Sequence, residues 1–284
     1  MTLLESAPPL APPADDGPRM GLGASREAAR RRFAAWTSEH VAPFAGAWDS
    51  AARTPPELVR AMADAGYLGA AVPAEYGGAG MDAVTFALLN EELGRGCSSV
   101  RSLLTVHSMA CHAVARWGTA AQRERWLAPM ARGETVGAFG LSEPEVGSDA
   151  AAIQTTAEPD GDVYVLNGRK RWTTYGQIAD VLLTFARGGG KPLALLVDLR
   201  APGITVRPLG VTGTRASMVA EIEFHGVRVP KENRLAGPGF GMAVAMSVLE
   251  LGRLSVACGC VGIIRACLEA ATGYAAERRQ FGVP

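Results

Sequence analysis

Aromatic side chains are scarce in this chain, 6% of 284 residues, so any core has to be built from aliphatic residues and alanine. Net charge is absent too: 28 basic residues stand against 28 acidic ones. That balance gives no electrostatic reason to expect nucleic acid or an anionic membrane as a partner, and neither is expected. Histidine is limited to His40, His107, His112 and His225. Their spacing forms no ligand set or catalytic triad, so each is expected to be structural and no metal site is expected. The cysteines are odd in number, Cys97, Cys111, Cys258, Cys260 and Cys267, and no signal peptide is evident. Reduced thiols and a cytoplasmic location are expected. Cys258 and Cys260 suggest a ligand pair, but two residues along a helix turn about 200°, so they read as small core side chains.

At this length a sizeable core and two or three domains are possible. Residues 1–22 are rich in Pro and Ala and read as a disordered leader rather than a targeting signal. Residues 23–134 read as a helical domain. Ser25 is a candidate N-cap for a helix with Ala29, Phe33 and Trp36 on one face. Thr54-Pro55-Pro56-Glu57 reads as a capping box, with Gly66 as the stop. Further helices are expected from Asp82 to about Leu93, from about Ser102 to Trp117, and after Thr119-x-x-Gln122.

Residues 135–232 change period. Val163–Leu166, Val181–Leu183, Leu193–Val197, Ile204–Val206 and Ile222–Phe224 are short strand-like runs. Asp160-Gly161, Asn167-Gly168 and Gly188-Gly189-Gly190 read as turns between them. Such spacing suggests an antiparallel, barrel-like or sandwich domain. Residues 233–284 return to helix. Gly237-Pro238-Gly239-Phe240-Gly241 has no surrounding βαβ unit and reads as a helix-entry turn, not a dinucleotide loop. The apolar run Met242–Ile264 is interrupted by Glu250 and Arg253, so a buried bundle helix is expected rather than a membrane span. The expected fold class is therefore α+β and multidomain: an N-terminal helical domain, a middle antiparallel β-barrel-like domain, and the start of an incomplete C-terminal helical bundle.

Three motifs carry the chemistry. The first is Gly140-Leu141-Ser142-Glu143-Pro144-Glu145-Val146-Gly147-Ser148-Asp149. The second is Trp172-Thr173-Thr174, and the third is Arg278-Arg279-Gln280-Phe281-Gly282-Val283-Pro284. Together they resemble the acyl-CoA dehydrogenase family, over about Arg26 to Pro284. The resemblance implies FAD as cofactor and oxidation of an acyl thioester, in which a base takes the proton alpha to the carbonyl and flavin N5 accepts a hydride from the beta carbon. A Gly/Ser loop with free N–H groups suits the polar edge of a flavin. By resemblance Phe139, Leu141 and Ser142 line that edge, and Gly147 and Ser148 continue the loop. Ser148 also faces the pantetheine or phosphate of the substrate. Trp172 packs against the ring system, Thr173 belongs to the same segment, and Thr174 places a hydroxyl near N5. Arg278, Gln280 and Phe281 resemble the segment that reaches the FAD of a neighbouring subunit; the alternative is an exposed charged end. Ser217 matches a loop near phosphopantetheine. Arg253 matches an arginine close to the substrate, or else forms an ion pair with Glu250.

No catalytic base is assigned. The family places a glutamate either late in the helical bundle or immediately before the arginine, where this chain has Gly252. Glu250 lies two residues away and about 200° around the helix. Glu143, Glu145 and Asp149 read as turn and domain contacts. The chain is therefore expected to be C-terminally truncated, and to show little dehydrogenase activity alone. The resemblance further implies a homodimer or homotetramer when complete, and an electron acceptor that is a protein or oxygen. The stretches Cys97–Thr105 and Gly252–Cys267 are similar to homologues of polyketide extender-unit pathways that make hydroxymalonyl- or methoxymalonyl-type units. That implies an acyl thioester carried by an acyl carrier protein, with CoA as the alternative carrier. The competing readings are a flavin-dependent oxidase or monooxygenase on the same fold, and a non-catalytic remnant acting as a binding protein.

Overall fold

The computed structural model describes residues 21–283. All but Gly21 and Leu22 of the leader, together with Pro284, lies outside the described residues. The chain begins with six helices. They are α1 (Ala24–His40), α2 (Ala45–Ser50), α3 (Pro56–Asp64), α4 (Ala83–Gly96), α5 (Ser98–Trp117) and α6 (Ala120–Ala131). The strands follow: β1 (Gly137–Gly140), β2 (Thr156–Asp160), β3 (Val163–Thr173), β4 (Val181–Gly188), β5 (Lys191–Asp198), β6 (Ile204–Pro208), β7 (Ala220–Pro230) and β8 (Arg234–Leu235). A single long helix, α7 (Gly241–Glu277), completes the order.

Local signals explain several boundaries and fail at others. Asp82 caps α4 by accepting from Val84 N and Thr85 N, and Thr119 with Gln122 forms the reciprocal box that opens α6. Ser25 lies inside α1, whose N-cap is Gly23. Thr54 does not cap α3, which starts from Pro55. Its hydroxyl is instead buried, donating to Ala216 O at 2.8 Å and paired with Tyr175 Oη at 2.7 Å. A long-range partner has taken the local cap. Helix α5 starts four residues before Ser102, because Ser99 and Val100 are themselves buried.

The strands form one sheet in the order β6-β7-β3-β2-β4-β5-β8, with β1 added alongside β4. Most neighbours are antiparallel, whereas β1 and β2 both run parallel to β4. The sheet does not close on itself, so barrel-like describes its curl only loosely. Strand β4 is buried on both faces. Val181, Leu183 and Phe185 meet the core shared with α5, α6 and α7, and Leu182 and Ala186 meet a second core on the other face. Asn167-Gly168 is not a turn. It lies within β3 at a register shift against β7, where Gly168 has φ +139° and a Cβ would stand 2.6 Å from Thr155 Oγ1.

Helix α7 lies against α4 and α5. Its buried residues, among them Val244, Val248, Gly252, Ser255, Gly259 and Gly262, follow one face. Met246, Val256, Val261, Ile264, Leu268 and Tyr274 remain exposed. The expected buried helix is thus buried on one side only. By length and composition α7 is also apolar enough to cross a membrane. At Gly262 an added Cβ would lie 2.0 Å from Glu91 O and 2.7 Å from Arg95 N, so α4 and α7 touch backbone to backbone. Gly262→Ala is expected to cost about 1–3 kcal/mol by forcing the helices apart. The melting temperature should fall in that variant and not in Gly273→Ala, where nothing lies within 4 Å of the added Cβ. Equal melting of the two would contradict the close crossing.

Candidate functional site

The first and second motifs, far apart in sequence, are adjacent in the fold. Strand β1 runs along β4 and delivers the chain at Gly140, whose carbonyl accepts from Thr184 Oγ1 at 3.1 Å. The loop that follows closes on itself through Glu143 N to Val146 O, 2.8 Å, and Val146 N to Glu143 O, 3.2 Å. It is then tied to the end of β3: Arg171 N donates to Ser142 O at 2.9 Å, and Lys170 Nζ donates to Leu141 O at 3.2 Å. Leu141 is buried, Ser142 is half-buried, and Gly147 and Ser148 are exposed.

Glu143 and Lys170 form a buried ion pair at 2.7 Å, with side-chain exposures of 4% and 0%. Glu143 also accepts from Gln154 N at 2.6 Å and Thr155 N at 3.0 Å. Burial pushes the Glu143 carboxyl up, but Lys170 and these hydrogen bonds outweigh it and leave the group below its usual range. Burial pulls Lys170 down to about 8 against the attraction of Glu143.

Beyond Lys170 the strand bulges against β7. Trp172 sits at φ +64° and is 54% exposed, with the Arg171 guanidinium 4.9 Å from its ring. A large non-glycine residue in the left-handed region is strained, and such strain persists where surrounding contacts over-determine it. Here the next turn supplies those contacts. Tyr175, at φ +55°, is fully buried and donates to Ser99 O at 3.0 Å, while its N–H bonds Ser217 O at 2.8 Å. Thr214 and Met218 are left-handed as well. Their segment is tied to α2 by Arg215, which donates N–H and Nε to Asp49 at 2.9 and 2.8 Å. Thr173 is buried and its Oγ1 has no partner among the described residues; Thr174 is half-buried.

A cleft of about 470 Å³ opens between α5, α7 and β1, lined by Thr105, Met109, Phe139, Leu249, Gly252, Arg253, Val256 and Ala257. Phe139 is held by an edge contact with Phe185, 5.6 Å between centroids. Gly252 lets α7 approach Met109, whose Sδ would be 3.0 Å from an added Cβ. Arg253 is exposed at the rim, and no carboxylate lines the cleft among the described residues. Glu250 is exposed and outside the lining, as its helical phase requires. A larger cavity of about 510 Å³ around Trp117, Trp126 and Arg234 lies apart from these motifs.

Behind the cleft runs a buried polar network that sequence patterns did not reveal. Ser255 Oγ bonds both Thr105 Oγ1 and Asn90 Oδ1. Arg101 Nη1 donates to Thr105 Oγ1 at 2.9 Å and Nη2 to Ser98 Oγ at 3.3 Å. Arg101 is 8% exposed, its Nε has no partner among the described residues, and burial pulls its pKa down. Among the described residues none of its hydrogen bonds goes to a carboxylate. Its only sequence signal is an arginine set in a run of small and apolar residues.

The remaining expected site residues lie elsewhere. Ser217 is buried and its Oγ is 3.0 Å from Ser102 Oγ. Arg278, Gln280 and Phe281 follow α7, about 37 Å along the helix from Arg253. They are exposed, with Phe281 at φ +53°. All five cysteines are free thiols, and no cluster that could hold a metal occurs among the described residues.

This geometry fits a flavin. It offers an aromatic ring held out on a strained bulge, a buried hydroxyl with no partner among the described residues, and an adjoining loop whose outer half is exposed. Comparisons with known proteins point the same way. Three acyl-CoA dehydrogenase models match: the N-terminal domain over residues 24–134, the middle domain over 138–227 and the C-terminal domain over 239–284. The chain is 38% identical over 259 residues to a glutaryl-CoA dehydrogenase of Desulfococcus multivorans, covering 88% of this chain and 67% of that protein. It is 36% identical to the mitochondrial short-chain specific acyl-CoA dehydrogenase of Rattus norvegicus, covering 88% and 62%. The chain thus spans about two thirds of the length of these relatives.

Among solved structures, a glutaryl-coenzyme A dehydrogenase in complex with glutaryl-CoA superposes with a TM-score of 0.90 at 35% identity, covering 94% of this chain and 70% of that one. A Mycobacterium smegmatis glutaryl-CoA dehydrogenase in complex with FADH2 gives 0.88 at 31%, covering 93% and 68%. FkbI, for biosynthesis of the methoxymalonyl extender unit of the polyketide Fk520, gives 0.83 at 36%, covering 90% and 71%.

Proposed function

The chain belongs to the acyl-CoA dehydrogenase family, and on that premise we propose that it takes part in FAD-dependent oxidation of an acyl thioester whose acyl group ends in a polar or acidic function. The observation that supports the second half is Arg101, a buried cation with no carboxylate partner among the described residues, which lies behind the cleft and bonds Thr105 on its wall. A buried charge without a counter-ion is costly, and an anionic group of a ligand offsets that cost. The glutaryl-CoA and methoxymalonyl relatives support the same chemistry, since both names denote acidic acyl groups.

When bound, FAD supplies the hydride acceptor. The chain's own residues bind and orient. Trp172 would pack against the ring system, Ser142 and Thr174 would offer hydroxyls to its edge with the buried Thr173 beside them, and Leu141, Gly147 and Ser148 would shape the loop around it. Phe139 forms the wall shared by flavin and acyl group. Met109, Leu249, Val256 and Ala257 exclude water from the acyl group, which strengthens every polar contact made inside the cleft. Arg253 at the rim and Ser148 take the thioester's carrier side, with Ser217 behind the neighbouring loop. Arg278, Gln280 and Phe281 serve a flavin of a second copy. No residue is assigned to removal of the alpha proton.

The carrier in this reading is an acyl carrier protein, in secondary metabolism. It is supported by the FkbI likeness and by the stretches Cys97–Thr105 and Gly252–Cys267. Free thiols support a cytoplasmic location, and the exposed apolar face of α7 supports a homo-oligomer. The electron acceptor is a protein or oxygen.

The test compares thioesters of equal length with and without a terminal carboxylate, as carrier-protein and CoA forms, for binding to the flavin-loaded chain by perturbation of the flavin spectrum. The acid-terminated form should bind more tightly, and Arg101→Met should remove that preference, about 10- to 100-fold. Equal binding of both acyl types by the unaltered chain would refute the acidic-substrate reading.

A further inference from the structure

The buried Glu143–Lys170 pair does not line the cleft, and Glu143 borders a separate hollow of about 240 Å³ with Glu145 and Arg169, yet the pair joins the two motifs that define the site. Lys170 stands two residues before Trp172, and its Nζ reaches back to Leu141 O and Glu143 Oε1. Glu143 in turn grips the N–H groups of Gln154 and Thr155, at the entry to β2. Gly168 presses directly on Thr155, so the same short stretch is fixed from both sides. Loop, β2 entry and β3 bulge therefore share one charged knot, with Arg171 N to Ser142 O as its backbone link.

Stability does not account for such a pair. Desolvating two charges roughly cancels their attraction, and apolar replacements of equal volume are often tolerated. What a fully satisfied buried pair does provide is one definite geometry. We propose that Glu143 and Lys170 are positioning residues for the flavin: the pair fixes the Leu141–Ser142 backbone relative to the Trp172 bulge, and so sets how tightly and in what environment FAD is held, without touching it. The proposal rests on the flavoprotein reading above. The knot acts on the ring-edge contacts of the loop, while the strained conformation of Trp172 is held separately by Tyr175 and Ser217.

The test uses the 284-residue chain with FAD as the probe, comparing the unaltered chain, Glu143→Gln with Lys170→Met, and Trp172→Ala. The double variant keeps side-chain volume and leaves no unpaired charge. It leaves one of the Gln154 and Thr155 N–H groups facing an amide NH2 and Leu141 O without its donor, so a modest fall in melting temperature is expected, together with FAD binding at least about tenfold weaker and a changed visible circular dichroism of the bound flavin. Should it not fold, Glu143→Gln alone carries the same readouts, because Lys170 already sits at about 8 and can become neutral. Unchanged FAD affinity and dichroism in the charge-free variant, whatever its melting temperature, would overturn the proposal. If Trp172→Ala still loses FAD in that case, the flavin reading stands and only the positioning role falls. An unaltered chain that binds no FAD would instead overturn the flavin reading itself.

Discussion

Trp172→Ala should weaken FAD binding by roughly 30- to 150-fold, about 2–3 kcal/mol, while the melting temperature of the flavin-free protein hardly changes. The two halves come from the same observation. The ring is 54% exposed in the chain by itself, so it contributes little to the fold, and its apolar face is available to a ligand. Its backbone, at φ +64°, costs the flavin-free protein stability. Trp172→Gly should therefore lose FAD as the alanine variant does, and raise flavin-free stability by about 1 kcal/mol through relief of that strain. Fluorescence titration with FAD and thermal melts decide the matter. A large drop in melting temperature with FAD affinity retained would mean that Trp172 is a packing residue.

The second large effect concerns pH. His107 is fully buried at the junction of α5, α6 and β1. Gly137 N donates to its Nδ1 at 3.0 Å, which assigns the proton to Nε2, which donates to Met130 O at 3.1 Å. A second proton on Nδ1 would face an N–H, and burial holds the group down to about 4. The unfolded chain takes up this proton near 6.5 and the folded chain does not, so folding stability falls as pH drops from about 6.5 to about 4. The loss should approach 3 kcal/mol. His107→Gln should be less stable at neutral pH and lack this part of the slope. Parallel stability–pH curves for the two proteins would show that His107 does not titrate as described.

What could be read from the sequence was what depends on local pattern or on motif. The Thr119–Gln122 box, the Asp82 cap and the short continuous apolar runs of β4 and β5 are decided by residues a few positions apart, and they form as the local pattern requires. The loop at Ser142 and the segment at Trp172 could be named from their strings alone. Their juxtaposition could not, because it depends on Arg171 N finding Ser142 O across the sheet. Thr54 misled because a buried tyrosine 121 residues away outcompeted the local backbone for its hydroxyl. Asn167-Gly168 misled because a turn dipeptide and a bulge dipeptide look alike; there Gly226 N donates to Asn167 Oδ1 at 2.7 Å, across to β7. Arg101 gave no usable signal, since what marks it is the absence of a carboxylate among its hydrogen-bond partners, a tertiary fact. The parallel pairing of β1 with β4 was hidden for the same reason, since β1 is only four residues long.

The flavin site proposed at the Ser142 loop and the Trp172 bulge can be checked on the chain itself. Titrating the purified 284-residue protein with FAD, and following flavin fluorescence and visible circular dichroism, tests it most directly. Saturable binding approaching about one FAD per chain is expected, with quenched fluorescence and an induced dichroic signal, both lost in Trp172→Ala. A folded chain that leaves FAD fluorescent and optically inactive throughout the titration would contradict it.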